Sequence, residues 1–294
     1  MKKAFLQLHA AVFLAGFTAI LGKLIVLNEG LLVWYRLFFS IILIGGLLIL
    51  KKEFTKISLQ EFIKISGVGL LLAFHWVAFY ASVKYANASV AVVCLSASGF
   101  FSTLLEPIVL RKRIVMTEML LGLLSILGIY IIFDFHPQYK TGIIFGMLSS
   151  FGSALFPMFN KELLKQHSPI ILTFYEFLGG LICLSCLLPF YFTNFIPSYY
   201  LPSFNDVVWL LVLTIFCTMM AFDFQLKALQ KISAFTTNLT YNLEPLYGIL
   251  LAFIIFRENQ LLNNHFYVGL FFILLAIMLQ MIRVFRQSKI KDIQ

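Results

Sequence analysis

The stretch YNLEPLYGILLAFIIF, residues 241–256, places a carboxylate, Glu244, and a helix-distorting proline, Pro245, at the start of a long apolar run. Glu244 lies 13 residues after Lys231 and 13 before Arg257, about 20 Å from each along a helix. In a membrane this is near the midplane, where a charge costs at least about 2.5–3.5 kcal/mol. Glu244 is therefore either neutral and hydrogen-bonded to a neighbouring helix, or it faces a wet cavity.

The composition around this stretch indicates a polytopic membrane protein. The chain is 61% hydrophobic and 12% charged over 294 residues, whereas soluble domains are about a quarter charged. The apolar residues come in runs of about twenty, the length that crosses a bilayer as a helix. Because lipid offers the backbone no hydrogen-bond partners and strand-like alternation is lacking, the sequence predicts an all-α integral membrane protein.

Breaks at charges, Gly, Pro and Asn divide the chain into ten apolar segments. The predicted transmembrane helices are 4–27, 30–50, 62–83, 88–110, 114–134, 141–160, 169–190, 206–227, 233–256 and 265–284. Ten helices divide into two groups of five. Because five is an odd number, the second group enters the membrane from the side opposite to the first.

The cations set the orientation of these helices. Most of the 22 Lys and Arg residues fall on one side if the N-terminus is cytoplasmic. The positive-inside rule then predicts a multi-pass protein of the cytoplasmic (inner) membrane with both termini in the cytoplasm. The net charge of +9 is explained by topology, because its cations are spread over short loops and do not form the basic face that nucleic acid requires.

An internal repeat divides the chain. Residues 82–113 (SVKYANASVAVVCLSASGFFSTLLEPIVLRKR) align without a gap on residues 228–259 (ALQKISAFTTNLTYNLEPLYGILLAFIIFREN). Both stretches leave one helix, turn through a short polar loop, form a full apolar helix and stop at an arginine. We therefore expect two inverted five-helix repeats, 1–138 and 139–294, an architecture common among secondary transporters.

Three further motifs are the "GK" at 22–23, the "WYR" at 34–36 and the ending LEPLYGILLAFIIFREN at 243–259. Through them the chain resembles the drug/metabolite transporter superfamily, in particular its EamA-type members. The first half departs from the pattern, since Ser98-Gly99 stands in the register of Glu244-Pro245. The resemblance implies a transporter of small organic metabolites, often an exporter, with a central cavity between the halves and no ATP-binding module.

Polar residues at mid-membrane depth are the candidate substrate-binding groups. The predicted set is His75, Trp76, Ser98, Tyr241, Asn242 and Glu244. His75 either bonds a helix backbone or lines the cavity, and a pairing of His75 with Glu244 would make a proton or substrate site. The expected cargo is an amino acid or related compound, on which the aromatic surroundings favour an apolar or aromatic side chain. A proton is a second candidate partner.

Three further residues are additional candidates. Arg36 either extends its head to the outer interface or meets a carboxylate of the substrate. Tyr80 lies about a turn and a half after His75 on the same helix. Glu176 follows Tyr175 as Arg36 follows Tyr35 in a second repeat-like pair, and its role is left open.

Motifs for enzyme chemistry are lacking in the sequence. It contains no GxxxxGK[ST] loop, HExxH, GxSxG or acidic metal cluster, so we expect no enzyme activity, no cofactor and no metal site. The alternatives to a transporter are an intramembrane enzyme or lipid scramblase that uses His75 and carboxylates, a channel, and a receptor or scaffold. The expected assembly is a monomer or homodimer in the lipid bilayer.

Overall fold

The computed structural model describes residues 2–111, 113–134, 137–232, 234–241 and 243–291, which fold into α-helices joined by short connections. In chain order the helices are α1 (Lys2–Gly16), α2 (Thr18–Leu24), α3 (Glu29–Leu50), α4 (Leu59–Tyr85), α5 (Ala88–Leu95), α6 (Ser98–Val109), α7 (Met116–Asp134), α8 (Lys140–Leu163), α9 (Pro169–Tyr191), α10 (Phe204–Thr214), α11 (Ala221–Leu229), α12 (Ala234–Tyr241), α13 (Glu244–Phe256) and α14 (Asn264–Lys291). A π-helical segment, Ile215–Met220, joins α10 to α11.

Eight of these segments are long and apolar enough to cross a membrane by length and composition. They are Lys2–Leu24, Glu29–Leu50, Leu59–Tyr85, Ala88–Val109, Lys140–Leu163, Pro169–Tyr191, Phe204–Leu229 and Asn264–Arg283. Met116–Ile132 and Glu244–Phe256 are shorter apolar helices. This agrees with the predicted all-α integral membrane protein, while ten spanning helices in two inverted repeats stay a prediction.

Three of the predicted helices are interrupted. The segment predicted over 4–27 corresponds to one candidate span, Lys2–Leu24, with a turn at Phe17 between α1 and α2. The helix predicted over 88–110 breaks at Ser96–Ala97, between α5 and α6, and the one predicted over 233–256 breaks between α12 and α13. Interrupted helices are tolerated at membrane depth where the irregular backbone is buried in protein or lines a cavity.

Two of these interruptions lie at matching positions of the repeat. In the gap-free alignment, Ala88–Leu95 corresponds to Ala234–Tyr241, and α6 and α13 begin at the aligned residues Ser98 and Glu244. Arg111 and Arg257, also aligned, both have a φ of 53°, a left-handed conformation that is uncommon outside glycine. The two stretches therefore share their helix breaks and their backbone turn.

The packing of the helices leaves a polar centre. α4 packs on α8 and α9, α3 packs on α9, and α1 packs on α11. On the other side, α5 lies against α8 and α13, and α7 lies against α14. Residues from α1 to α5, α8, α11, α12 and α13 consequently meet around one central cavity.

The closest crossing in this bundle is between α4 and α9. A Cβ atom added at Gly69 would meet the carbonyl oxygen of Glu176 and lie 2.8 Å from the backbone nitrogen of Gly180. Such close approach is typical of membrane helix interfaces, where small residues allow backbone packing.

Replacing Gly69 by Leu is expected to lower the free energy of unfolding by about 1–3 kcal/mol or more, because the added side chain must push α9 away. Thermal unfolding of the purified protein in detergent measures the effect. Gly67→Leu on the same helix is the matched control, since a Cβ at Gly67 has no heavy atom within 4 Å. Equal melting temperatures for the two variants would contradict the tight crossing.

Candidate functional site

A central cavity of about 70 Å³ lies between the helices, several times the space that one water needs. Its lining combines aromatic and aliphatic side chains with a few polar and charged ones. These residues are Ala15, Thr18, Arg36, Leu72, His75, Trp76, Phe79, Leu95, Ser153, Phe156, Pro157, Cys217, Ala221, Phe222, Gln225, Tyr241 and Glu244. Mostly apolar walls with few placed polar groups are typical of small-molecule sites.

Arg36 is the most constrained of these side chains. It is 1% exposed, its Nε donates to Thr218 Oγ1 at 2.7 Å, and its Nη1 donates to the Tyr80 hydroxyl at 2.9 Å. The guanidinium lies over the Trp76 ring, 3.6 Å from the ring centre. The expectation that Arg36 extends to the membrane interface is therefore wrong, because the side chain points inward and is fixed on three sides.

The π-helical segment supplies part of this environment. The Thr218 hydroxyl, which accepts from Arg36, donates to the Leu213 carbonyl oxygen five residues back at 2.9 Å. The Cys217 carbonyl oxygen accepts from Arg36 Nη2 at 3.3 Å. π-helical turns shift the backbone hydrogen-bond register and are frequent at functional sites. In this chain the shift directs a hydroxyl and a carbonyl at the buried guanidinium.

Glu244 faces the same cavity from the break between α12 and α13. It is the first residue of α13 and 8% exposed, and no hydrogen bond to its carboxylate is found in the described residues. The prediction that Pro245 bends a continuous helix is wrong, since Pro245 belongs to the first turn of a new helix. Proline has no backbone N–H, and the N–H groups of a first helical turn have no partner within the helix in any case.

His75 is held by the backbone and also lines the cavity. Its Nδ1 lies 2.8 Å from the Ser149 carbonyl oxygen and 2.9 Å from Ser149 Oγ. Both alternatives considered for His75 are therefore realised together. His75 and Glu244 border the same cavity, but they form no hydrogen bond with each other in the part of the chain described.

The structure brings most of the predicted site residues together. His75, Trp76, Tyr241, Glu244 and Arg36 line the cavity. Tyr80 lies behind Arg36 and accepts its hydrogen bond. Ser98 is buried at the start of α6 and is not among the lining residues. Asn242 lies outside the described residues.

Glu176 is not in the cavity. It is fully buried on α9, and neither of its carboxylate oxygens has a hydrogen-bond partner within the described residues. The repeat-like pairing of Arg36 with Glu176 therefore does not place the two side chains in equivalent positions. Helix rotation decides which neighbour a side chain meets, and the sequence pair does not specify that rotation.

Several lining residues were not anticipated from the sequence. Thr18, Ser153 and Gln225 contribute polar groups, and Thr218 holds Arg36. Serine, threonine and a single glutamine are ordinary inside membrane helices, so these residue types alone do not indicate a binding site. The break after α1 and the proline of α8 at 157 are the features that could have pointed to Thr18 and Ser153.

Ionic contacts close the bundle at one end. The Glu258 carboxylate is fully buried and accepts from Lys23 Nζ at 2.7 Å. It also accepts from the backbone nitrogen of Ser89 at 2.9 Å and from the Ser89 hydroxyl at 2.6 Å. Because α5 begins at Ala88, Glu258 caps the N-terminus of α5 with a favourable negative charge. This contact joins α2, α5 and the chain after α13.

An aromatic cluster and a lysine close the opposite end. Trp76, Phe156, Phe177 and Phe222 pack with ring centres 5.3–5.7 Å apart. Lys161 of α8 donates to the Leu229 and Ile232 carbonyl oxygens at the end of α11. The cavity thus lies between the contact of Glu258 with Lys23 and this aromatic cluster.

A second, larger crevice of about 900 Å³ lies between α3, α9 and α11. Of its four charged groups, Lys51, Glu53, Asp223 and Lys227, the last two already pair with each other at 2.6 Å. We place the candidate site in the smaller central cavity, because the buried charges of Arg36 and Glu244 converge there. Among the described residues no group of three or more His, Cys, Asp or Glu could hold a metal ion.

Apolar helices of membrane-spanning length packed around a buried cavity are the features of an integral membrane protein. The EamA-like transporter family matches residues 2–134 and 140–282. The chain therefore belongs to the EamA-like transporter family, which confirms the resemblance to the drug/metabolite transporters and makes the protein a membrane transporter.

Relatives with known sequences are also transporters. An uncharacterized transporter of Haemophilus influenzae is 22% identical over 279 residues, covering 87% of both chains. One of Clostridium kluyveri is 22% identical over 293 residues, covering 94% of this chain and 92% of the relative. An uncharacterized transporter of Archaeoglobus fulgidus is 28% identical over 137 residues, and this chain spans only 49% of its length.

The fold is similar to that of a solved protein. A protein of known crystal structure superposes on this chain with a TM-score of 0.67 and 14% sequence identity. The match covers 98% of this chain and 99% of the other. At this identity the similarity concerns the fold alone. It supports the path of the chain through the whole bundle.

Proposed function

We propose that the protein is a secondary transporter that exports a small organic metabolite, an amino acid or related compound, across the cytoplasmic membrane by alternating access. The observation that carries this proposal is the central cavity, where Arg36 and Glu244 are both buried and face the same space. Charged side chains inside a membrane protein are costly and mark substrate or ion pathways.

The proposed architecture is ten transmembrane helices in two inverted five-helix repeats, 1–138 and 139–294. The matching helix breaks at α5–α6 and α12–α13 support it. The separate family matches to 2–134 and 140–282 support it as well. With two inverted halves, exchanging their conformations converts an inward-open cavity into an outward-open one. The distribution of cations favours cytoplasmic termini.

The proposed substrate-binding residues are His75, Trp76, Tyr241, Glu244 and Arg36, with Asn242 retained from the sequence pattern. Five of the lining residues carry aromatic rings that can contact an apolar side chain of the cargo: Trp76, Phe79, Phe156, Phe222 and Tyr241. Arg36 and Glu244 supply the ionic contacts. Ser98 would join the site only in another conformation of the two halves.

Proton coupling through Glu244 is a second part of the proposal. The titratable groups that interact with Glu244 are Arg36 of α3, Tyr80 of α4, Cys217 of the π segment and Tyr241 of α12. A carboxylate that binds either a proton or a cationic group of the cargo can exchange one for the other. Proton entry would then drive export.

Glu244→Gln is expected to abolish the pH dependence of transport between about pH 5.5 and about pH 8, because the amide cannot exchange a proton. Uptake into proteoliposomes with a fixed internal pH measures it. Glu162→Gln, at an exposed ion pair, is the control and should keep the wild-type profile. A Glu244→Gln variant with an unchanged pH profile would rule out this coupling.

The transport proposal itself is tested in two steps. Metabolites released by cells with and without the gene are compared, and the compound with the largest difference is tested for saturable counterflow in proteoliposomes. Counterflow is expected because a carrier returns with cargo bound. Non-saturable flux would indicate a channel, and movement of lipid without metabolite flux would indicate a scramblase.

A further inference from the structure

Two opposite charges face the central cavity without touching. Arg36 is 1% exposed and Glu244 is 8% exposed, and the two interact electrostatically. Yet they form no ion pair within the described residues. Buried charges are normally paired, since taking them out of water costs several kcal/mol each. The space between Arg36 and Glu244 can therefore hold a ligand that pairs with both charges.

Arg36 retains unused donors on the cavity side. A guanidinium has five N–H groups, and here one goes to Thr218, one to Tyr80 and one to the Cys217 carbonyl. One N–H on Nη1 and one on Nη2 make no hydrogen bond to the described residues. Stacking on Trp76 fixes the plane of this fork. A guanidinium held in a fixed plane, with one free donor on each Nη, can bind both oxygens of a planar carboxylate.

Glu244 supplies the complementary group. Its carboxylate borders the cavity at the first residue of α13, is more than nine-tenths buried, and accepts no hydrogen bond from the part of the chain described. A buried acceptor left without a donor is unfavourable. An ammonium group, with three N–H donors, satisfies it.

We propose that the cavity binds a zwitterion, with the carboxylate of the cargo on Arg36 and its ammonium group on Glu244. This rests on the proposed transport function and specifies its substrate class as amino acids with uncharged side chains. The paired charges leave the occupied site neutral. A dicarboxylate or a diamine would leave one charge unpaired in a desolvated site, which excludes it.

The remaining wall of the cavity supports an uncharged side chain. It combines apolar groups with the uncharged polar groups of Thr18, Ser153 and Gln225, and the apolar ones are Leu72, Phe79, Leu95, Phe156, Pro157 and Phe222. No third charged residue borders the cavity within the described residues. A cationic or anionic cargo side chain would therefore have no partner there.

The test uses matched probes on the purified full-length protein. Glycine and L-alanine, the smallest amino acids and therefore the ones that suit a cavity of about 70 Å³, are each compared with their amide, which lacks the carboxylate, and with the acid that lacks the amino group. Binding is measured by calorimetry in detergent and transport by counterflow. The amide and the deaminated acid are expected to bind at least about 100-fold more weakly than the amino acid, because each leaves one buried charge unpaired.

Two variants assign each contact. Arg36→Gln should reduce the preference for amino acid over amide to about threefold or less, and Glu244→Gln should do the same for amino acid over deaminated acid. Arg283→Gln, which removes an ion pair to Glu118 at 3.1 Å far from the cavity, should keep both preferences. Thermal unfolding of each variant reports whether it is folded, and the wild-type comparison does not depend on the variants.

The outcomes separate this inference from the transport proposal. Equal binding of an amino acid and its amide, or no binding of either amino acid, overturns the zwitterion site. Selective binding without counterflow overturns transport and leaves the site intact. Saturable counterflow of a compound that lacks a carboxylate or an amine overturns the site and leaves transport intact.

Discussion

Replacing Arg36 by Lys is expected to reduce transport by at least about 30-fold, although the charge is retained. Lys has no planar fork, so it cannot keep the contacts to Thr218, Tyr80 and the Cys217 carbonyl at once. Losing one partner of a buried hydrogen-bonded charge cluster costs about 2–5 kcal/mol, and each 1.36 kcal/mol is about a factor of ten. Initial rates of counterflow in proteoliposomes measure the loss.

The matched control for this change is Arg283→Lys. Arg283 is also a charged residue on a long apolar helix, but it pairs with Glu118 and does not border the cavity. Its transport rate should stay within about twofold of wild type, since substitutions away from such sites change little. If Arg36→Lys also transported within about threefold of wild type, the fixed guanidinium would not be the binding group.

Replacing Glu258 by Gln is expected to destabilise the protein by about 1.5–3 kcal/mol, the contribution of hydrogen bonds to a charged group, because the carboxylate is buried while its partner Lys23 is 35% exposed. The carboxylate is fully buried and accepts from Lys23 at 2.7 Å and from Ser89 at 2.9 and 2.6 Å. The amide leaves Lys23 without its counter-charge and weakens the cap of α5. Thermal unfolding of the full chain in detergent measures the shift, which should be several degrees.

Glu162→Gln provides the comparison for Glu258. Its ion pair to Lys165 is similarly short, 2.6 Å, but the two side chains are 58% and 64% exposed. Exposed pairs contribute about 0–1 kcal/mol, so this variant should unfold close to wild type. Similar melting temperatures for Glu258→Gln and Glu162→Gln would show that the buried contact does not stabilise the bundle.

Helix positions were predicted well wherever an apolar run is bounded by charge or proline. The segment predicted over 169–190 is Pro169–Tyr191 in the structure, and the one over 62–83 is Leu59–Tyr85. The breaks inside runs were not predicted. Ser96 and Ala97 are compatible with a helix, so tertiary packing around the cavity, and not local propensity, interrupts the chain there.

The sequence indicated which polar residues lie inside the bundle, but not which way their side chains point. The position of Glu244 between two distant cations indicated its depth, and the structure places it beside the cavity. For Arg36 the sequence allowed two directions, because a long side chain near a helix end reaches either water or the interior. Only the π segment, with its displaced Cys217 carbonyl and Thr218 hydroxyl, fixes the inward one, and the sequence does not show that segment.

The most direct test of the central claim is an experimental structure of the protein with a bound neutral amino acid. The cargo is expected between Arg36 and Glu244, with its carboxylate on the guanidinium and its ammonium group on the carboxylate. An amino acid bound in the crevice between α3, α9 and α11, or a Glu244 side chain that points into lipid, would contradict the account.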